Sequence, residues 1–97
     1  MRISIPKEIY PGERRVAITP SRVEKFKQLG HEVLIEKGAG ELAHYSDEDY
    51  AAAGASLVSA QAVFEQGQVI LKVRPPMFNQ TQDQHEVQMM NKGTVLF

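Results

Sequence analysis

The apolar positions fall into short runs of two kinds, and the two kinds alternate. Met1, Ile3 and Ile5 have period two and stop at Pro6, which predicts a short first strand. A polar loop punctuated by Tyr10-Pro11-Gly12 follows. Val23, Phe26 and Leu29 then recur at helical spacing behind Thr19-Pro20. Thr19 can cap that helix and Pro20 fits its first position, although Ser21 and Glu24 also have capping-box spacing. Gly30 stops it. His31–Glu36 reads as a second strand, whose adjacent Val33, Leu34 and Ile35 imply burial on both faces. Ser46 caps a helix over Asp47–Ala53 with an acidic first turn, and Gly54 ends it. Ala55–Val58 is a weak third strand. Ser59 caps a helix that runs to Gln66, and Gly67 closes it. Gln68–Val73 is the clearest strand, and Pro75-Pro76 forbids its continuation. A stretch rich in Gln, Asn and Asp leads to a helix near His85–Met90. After Lys92-Gly93, Thr94–Phe97 forms the last apolar run.

Strands and helices in strict alternation imply an α/β fold of three layers, a mostly parallel sheet between helices joined by right-handed crossovers. The chain stops inside its fifth strand, before a covering helix or return loop, and so reads as a fragment of a longer protein.

Composition narrows the function. Ninety-seven residues make one domain. A net charge of −1 gives no basic surplus for nucleic acid. The absence of cysteine rules out disulfides, thiolate metal sites and a cysteine nucleophile. The longest apolar stretches fall far short of the roughly 20 residues of a membrane helix, so a soluble chain is expected, with any membrane role supplied by a partner.

In open α/β sheets, ligands bind at the carboxyl ends of the strands. Lys7 and Glu8 follow the first strand, and the loop beyond carries Glu13, Arg14 and Arg15; Lys72 and Arg74 stand at the end of the fourth. Cations converging on one edge suit a small anionic ligand, since a guanidinium grips a carboxylate through two parallel hydrogen bonds. The competing reading is that Arg14 and Arg15 pair with Glu8 and Glu13 on the surface, worth ~0–1 kcal/mol. Gly38-Ala39-Gly40-Glu41-Leu42-Ala43 matches a nucleotide-binding G-x-G-x-x-A on paper. The capping signal comes too late, at Ser46, and no acidic residue ends the next strand, so a turn needing positive φ is expected instead. His31, His44 and His85 lack metal-ligand spacing and are expected to be solvated. No nucleophile elbow supports serine hydrolase chemistry. The acidic pair and aspartate of a receiver domain are replaced by Lys7-Glu8 and Ser59. Met89-Met90 reads as core filling.

The stretches Ile5-Pro6-Lys7-Glu8 and Pro11-Gly12-Glu13-Arg14-Arg15-Val16-Ala17-Ile18-Thr19-Pro20 are distinctive as blocks. Leu29-Gly30-His31-Glu32-Val33, Glu36-Lys37-Gly38-Ala39-Gly40, Ala53-Gly54-Ala55, Leu71-Lys72-Val73-Arg74-Pro75-Pro76 and Lys92-Gly93-Thr94-Val95-Leu96-Phe97 extend the pattern over nearly the whole chain. Together they resemble the N-terminal domain of the alanine dehydrogenase and nicotinamide nucleotide transhydrogenase family. The resemblance implies a flavodoxin-like domain with strand order 2-1-3-4-5. It also implies a second, Rossmann domain holding the dinucleotide, which this chain does not reach. In the alanine dehydrogenases the arginine matching Arg15 holds the substrate carboxylate, a lysine stands at the position of Arg74, and a histidine soon after Phe97 is catalytic. An always-charged guanidinium replaces an amine poorly in proton-linked chemistry, so Arg74 favours the transhydrogenase branch. Pro11-Gly12-Glu13, Glu41-Leu42-Ala43 and Val73-Arg74-Pro75-Pro76-Met77 also look more like that branch.

That branch implies hydride transfer between NAD(H), held by the full subunit, and NADP(H), held by a partner subunit, coupled to proton translocation. It implies membrane and NADP(H)-binding partner subunits, a homodimer of the full alpha subunit, and a cytoplasmic site peripheral to the inner membrane. In this chain Arg15, Lys72 and Arg74 would line the interdomain cleft, with no catalytic, cofactor-binding or metal-binding residue of its own. The alternatives are an alanine dehydrogenase-type oxidoreductase and a truncated, non-catalytic binding module for a small carboxylate.

Overall fold

The computed structural model describes residues 1–75, 77–79, 84–90 and 95–96. Its elements run β1 (Arg2–Ile5), α1 (Pro20–Gln28), β2 (Glu32–Glu36), a 3-10 turn (Glu41–Ala43), α2 (Asp47–Ala53), β3 (Ser56–Val58), α3 (Ala60–Gln66), β4 (Val69–Ile70), β5 (Phe78–Asn79), β6 (Gln84–His85), α4 (Glu86–Met89) and β7 (Val95–Leu96). Five strands form one sheet, β3-β2-β1-β4-β7, and every pairing in it is parallel. The α/β class and its parallel sheet are as the alternation predicted.

Period-two alternation divides the core between the sheet's faces. Ile3 and Ile5 of β1 and Val33 and Ile35 of β2 pack with Ile18, Val23 of α1 and Tyr50 of α2. Ile70 of β4 packs with Val63 and Phe64 of α3 and Met89 of α4. Helices therefore cover both faces, α1 and α2 on one, α3 and α4 on the other. Ser4 of β1 points away from the Ile3 face and is fully buried. There the backbone of Gly67 comes so close that a Cβ on it would lie 2.6 Å from Ser4 Cβ and collide with the hydroxyl. A small residue and a glycine are thus matched across the chain.

The capping signals act as predicted at two helices. Ser46 and Asp49 form a reciprocal capping box, and Ser59 Oγ accepts the Ala62 amide at 3.2 Å. At α1, Thr19 is the cap residue but its hydroxyl meets Ser21 Oγ at 3.2 Å and accepts no backbone amide. Proline at the first position already removes one orphan donor there.

Four expectations need correction. The strand order is not 2-1-3-4-5: the third strand lies outside β2, and β4 crosses to the other side of β1. The reason is that α2 packs beside α1 on the same face, so the chain steps outward from β1 through β2 to β3 before α3 returns across the opposite face. Leu29 does not join the α1 stripe; it is the C-cap and is 72% exposed. The fourth strand is Val69–Ile70 rather than Gln68–Val73, because the Val73 and Arg74 amides are taken by the Glu8 carboxylate. The polar stretch before the last helix contributes an antiparallel pair, Phe78 opposite His85 and Asn79 opposite Gln84, too short to leave a periodic signal. Lys92, Gly93, Thr94 and Phe97 lie outside the described residues.

Candidate functional site

With β3 and β2 on one side of β1 and β4 on the other, the order in which strands are added to the sheet reverses between β1 and β4. That is the point where the carboxyl ends of the strands open a crevice. The loop after β1 and the segment after β4 meet there, and buried carboxylates join them. Glu8, two residues past Pro6, turns inward until its side chain is only 3% exposed. Its Oε2 accepts the Val73 amide at 2.8 Å, and its Oε1 accepts the Arg74 amide at 3.2 Å and the Lys72 ammonium at 3.0 Å. Glu86, the first residue of α4, accepts from Lys72 Nζ at 3.4 Å through one oxygen and from the Met77 amide at 2.9 Å through the other. Three buried charges and three backbone donors therefore satisfy one another, which is the condition for burying charge at tolerable cost. The segment beyond Ile70 wraps around these two carboxylates, and that ends β4.

A second carboxylate node stands beside the first. Tyr10-Pro11-Gly12-Glu13 forms a turn closed by the Glu13 amide donating to Tyr10 O at 3.0 Å, with Gly12 at φ +84°. The turn buries the Glu13 side chain to 3% exposure. Arg15 donates to it from Nε at 2.9 Å, from Nη2 at 2.8 Å and from its own amide at 2.9 Å. Arg74 donates from Nε at 2.8 Å, and its Cζ sits 4.1 Å above the centre of the Tyr10 ring. The Arg15 and then the Arg74 hydrogen bonds hold the Glu13 carboxyl well below the usual carboxylate range, and Glu13 in turn raises Arg15. Near Lys7, the Glu36 carboxylate at the end of β2 accepts the Lys7 amide at 3.0 Å. Burial pushes the Glu36 carboxyl above its ordinary value despite that bond.

The three cations singled out from the sequence thus take different positions. Arg15 and Arg74, 59 residues apart in the chain, meet on one carboxylate with side chains 68% and 38% exposed. Lys72 lies beneath, 2% exposed, with its ammonium held by Glu8 and Glu86. Of the expected surface pairs, Arg15–Glu13 forms, but on a buried carboxylate. Sequence reasoning missed Glu86 and Tyr10. Glu86 carries only the generic signal of an acid in a helix's first turn, and Tyr10 stood among turn residues.

The glycine turn does not suit a pyrophosphate. Gly38 has φ +81°, as a turn requires, and its amide is already taken by Asp47 Oδ1 at 2.8 Å. Asp47, Glu48 and Asp49 fill the first turn of α2, where a phosphate would meet three negative charges. Gly40 is needed for space, since a Cβ on it would lie 2.9 Å from Tyr45 O. Of the histidines, His44 is exposed in a left-handed turn, and His31 sets its ring against Phe26 at 6.1 Å. No group of three metal-ligating side chains occurs among the described residues. An open groove of about 480 Å³ between α1 and α2 is lined by Thr19, Ser21, Glu24, Tyr45 and Asp49 among others. It has acids and no cation, so it does not suit an anion. Among the described residues no helix is long and apolar enough to cross a membrane.

Residues 4–97 match the family model described as alanine dehydrogenase/PNT, N-terminal domain. The chain belongs to that family. It is similar to the alanine dehydrogenase of Methanococcus maripaludis, 45% identical over all of this chain and 25% of that protein. It is equally similar in kind to the NAD(P) transhydrogenase subunit alpha of Cereibacter sphaeroides, 42% identical over 99% of this chain and 17% of that one. Among solved structures, an L-alanine dehydrogenase superposes with a TM-score of 0.88 at 38% identity, over 100% of this chain and 25% of that one. A transhydrogenase from Sinorhizobium meliloti superposes at 0.85 and 36%, over 99% and 27%. The chain thus spans a quarter or less of the length of either curated relative. Members of the family are oxidoreductases of these two kinds, and relatives of both kinds match this domain.

Proposed function

We propose that this chain is the N-terminal domain of a longer polypeptide, the NAD(H)-binding alpha subunit of a proton-translocating NAD(P) transhydrogenase. One observation carries the choice over alanine dehydrogenation: a guanidinium at position 74. Arg74 is tied to Glu13 and lies over Tyr10, so it is a fixed positive charge and not an amine able to exchange a proton. Such a group suits a reaction in which hydride passes directly between two nicotinamides and no substrate carbonyl needs a proton. In that reaction the domain contributes shape, charge and exclusion of water, since geometry sets the rate of a direct transfer. Arg15 and Arg74 form the part of its surface that faces the coenzyme lobe, and the buried Lys72 holds Glu8, which accepts the Arg74 amide from below. The pyrophosphate is held by the following domain, and NADP(H) by a partner subunit at the membrane.

The test is a pair of assays on the full-length polypeptide with its partner subunits. NADPH-driven reduction of NAD+ is expected, with no NADH oxidation on adding pyruvate and ammonium. Pyruvate-dependent oxidation by the polypeptide alone would establish the alanine dehydrogenase reading, which the 45% identity to such an enzyme supports. Binding of pyruvate with neither activity would leave a carboxylate-binding module. Within the transhydrogenase reading, Arg15→Ala and Arg74→Ala are each expected to lower kcat/KM for NADH oxidation, and wild-type values in both would remove them from the cleft.

A further inference from the structure

The arginine cluster carries more positive charge than its own carboxylate cancels. Glu13 accepts from Nε and Nη2 of Arg15 and from Nε of Arg74, and those bonds keep it ionised. Two guanidiniums against one carboxylate leave one positive charge. Tyr10, stacked on the Arg74 guanidinium, adds none, and Arg14 next in the chain is exposed and adds another. Deeper down, Glu8 and Glu86 outnumber Lys72, but their side chains are buried and their oxygens are engaged by the amides of Val73, Arg74 and Met77. The charge presented to solvent is therefore that of the arginines. A crevice lined by one sign of charge focuses that field between its low-dielectric walls.

We propose that Arg15 and Arg74, with Glu13 limiting their excess charge, set the subunit's preference between the two oxidation states of its coenzyme, opposing the cationic nicotinamide of NAD+ and leaving the neutral dihydronicotinamide of NADH unopposed. The proposal rests on the transhydrogenase reading, in which the two arginines face the coenzyme lobe. In that reading the pyrophosphate is held by the following domain, so no anionic group of the coenzyme cancels the charge. A flat uncharged ring suits planar guanidiniums beside the Tyr10 ring, and a ring bearing a formal positive charge does not. Only a differential interaction shifts such a preference. Every contact common to the two forms drops out of the ratio of their dissociation constants, and the charge on the ring remains.

Equilibrium binding to the full-length polypeptide tests it, with NADH followed by its fluorescence and NAD+ by competition against it. The wild-type protein is expected to bind NAD+ more weakly than NADH, and added salt is expected to narrow the ratio of the two Kd values. Arg15→Gln and Arg74→Gln are each expected to narrow it by roughly three- to tenfold, chiefly by tightening NAD+. Arg74→Lys, which keeps the charge, is expected to retain most of the wild-type ratio. Glu13→Gln adds one net positive charge and is expected to widen the ratio. Charge removal and charge addition thus move it in opposite directions, whereas structural damage weakens both forms together. A ratio unchanged in both arginine variants while their kcat/KM for NADH oxidation falls overturns the proposal and leaves the cleft reading standing. A Glu13→Gln ratio that narrows as in the arginine variants also overturns it, because side-chain orientation and not charge would then be at work. Wild-type Kd and kcat/KM values in both arginine variants overturn the cleft reading, and the proposal with it.

Discussion

Replacing Lys72 by methionine removes the cation from between two carboxylates and leaves the chain's shape nearly unchanged. The ammonium lies 3.0 Å from Glu8 and 3.4 Å from Glu86, and the three side chains are 2%, 3% and 1% exposed. At an effective dielectric of about 20, each contact has a gross attraction of roughly 5 kcal/mol. Desolvating the ammonium offsets much of that sum, and the amides of Val73, Arg74 and Met77 continue to hold the carboxylates. The net cost is expected at about 3–5 kcal/mol, the range for breaking one side of a buried ion pair. For a domain of this size that lowers Tm by at least about 12 °C. Urea denaturation followed by far-UV circular dichroism measures it, with the midpoint falling and the slope m unchanged. The neutral triple variant Glu8→Gln/Lys72→Met/Glu86→Gln is expected to recover part of the loss, since no charge is then stranded, although a carboxamide at position 8 keeps an oxygen for only one of the Val73 and Arg74 amides. A cost below about 1 kcal/mol for Lys72→Met would mean that the triad behaves as a solvated surface pair and would refute the reasoning.

Four further outcomes follow from other contacts. Tyr50 is fully buried and donates to Ile18 O at 2.8 Å, so Tyr50→Phe strands a carbonyl and is expected to cost about 1–2 kcal/mol in urea denaturation. Burial also pushes the Tyr50 hydroxyl up to about 12, so one of the three tyrosines should ionise only near that pH in an absorbance titration. Gly67→Ala drives a methyl into Ser4 and is expected to cost about 1–3 kcal/mol, with Ser4→Gly in the same chain restoring part of the midpoint. Glu36 has a folded-state pKa above its ordinary 4.5, so the stability it contributes is fully present below that pH and is lost as pH rises through the raised value. Glu36→Gln, which keeps an acceptor for the Lys7 amide, should therefore raise the midpoint at pH 7, with the gain shrinking as the pH is lowered toward 4.5; a gain independent of pH would contradict this sign.

Local signals were enough for the fold class and for the main helices and strands, though not for the short β5–β6 pair or the end of β4. Ser46 and Ser59 cap their helices through short-range bonds that depend only on residues three positions away. Gly38 adopts the positive φ that its turn requires, and Val33, Leu34 and Ile35 are buried together as a contiguous apolar run in a parallel sheet must be. Pattern alone also pointed to the carboxyl ends of the first and fourth strands, because alternation determines which loops share an edge. Strand order is different in kind. Periodicity states that a strand is buried and never beside which neighbour, and the packing of α2 against α1 decided that β3 lies outside β2. The same holds for the charges. Arg15, Lys72 and Arg74 are three cations in the sequence, and nothing local separates them. Tertiary structure buries Lys72 between Glu8 and Glu86 and gathers Arg15 and Arg74 on Glu13, because a charge's environment is set by groups 61 to 66 residues away as well as by its chain neighbours.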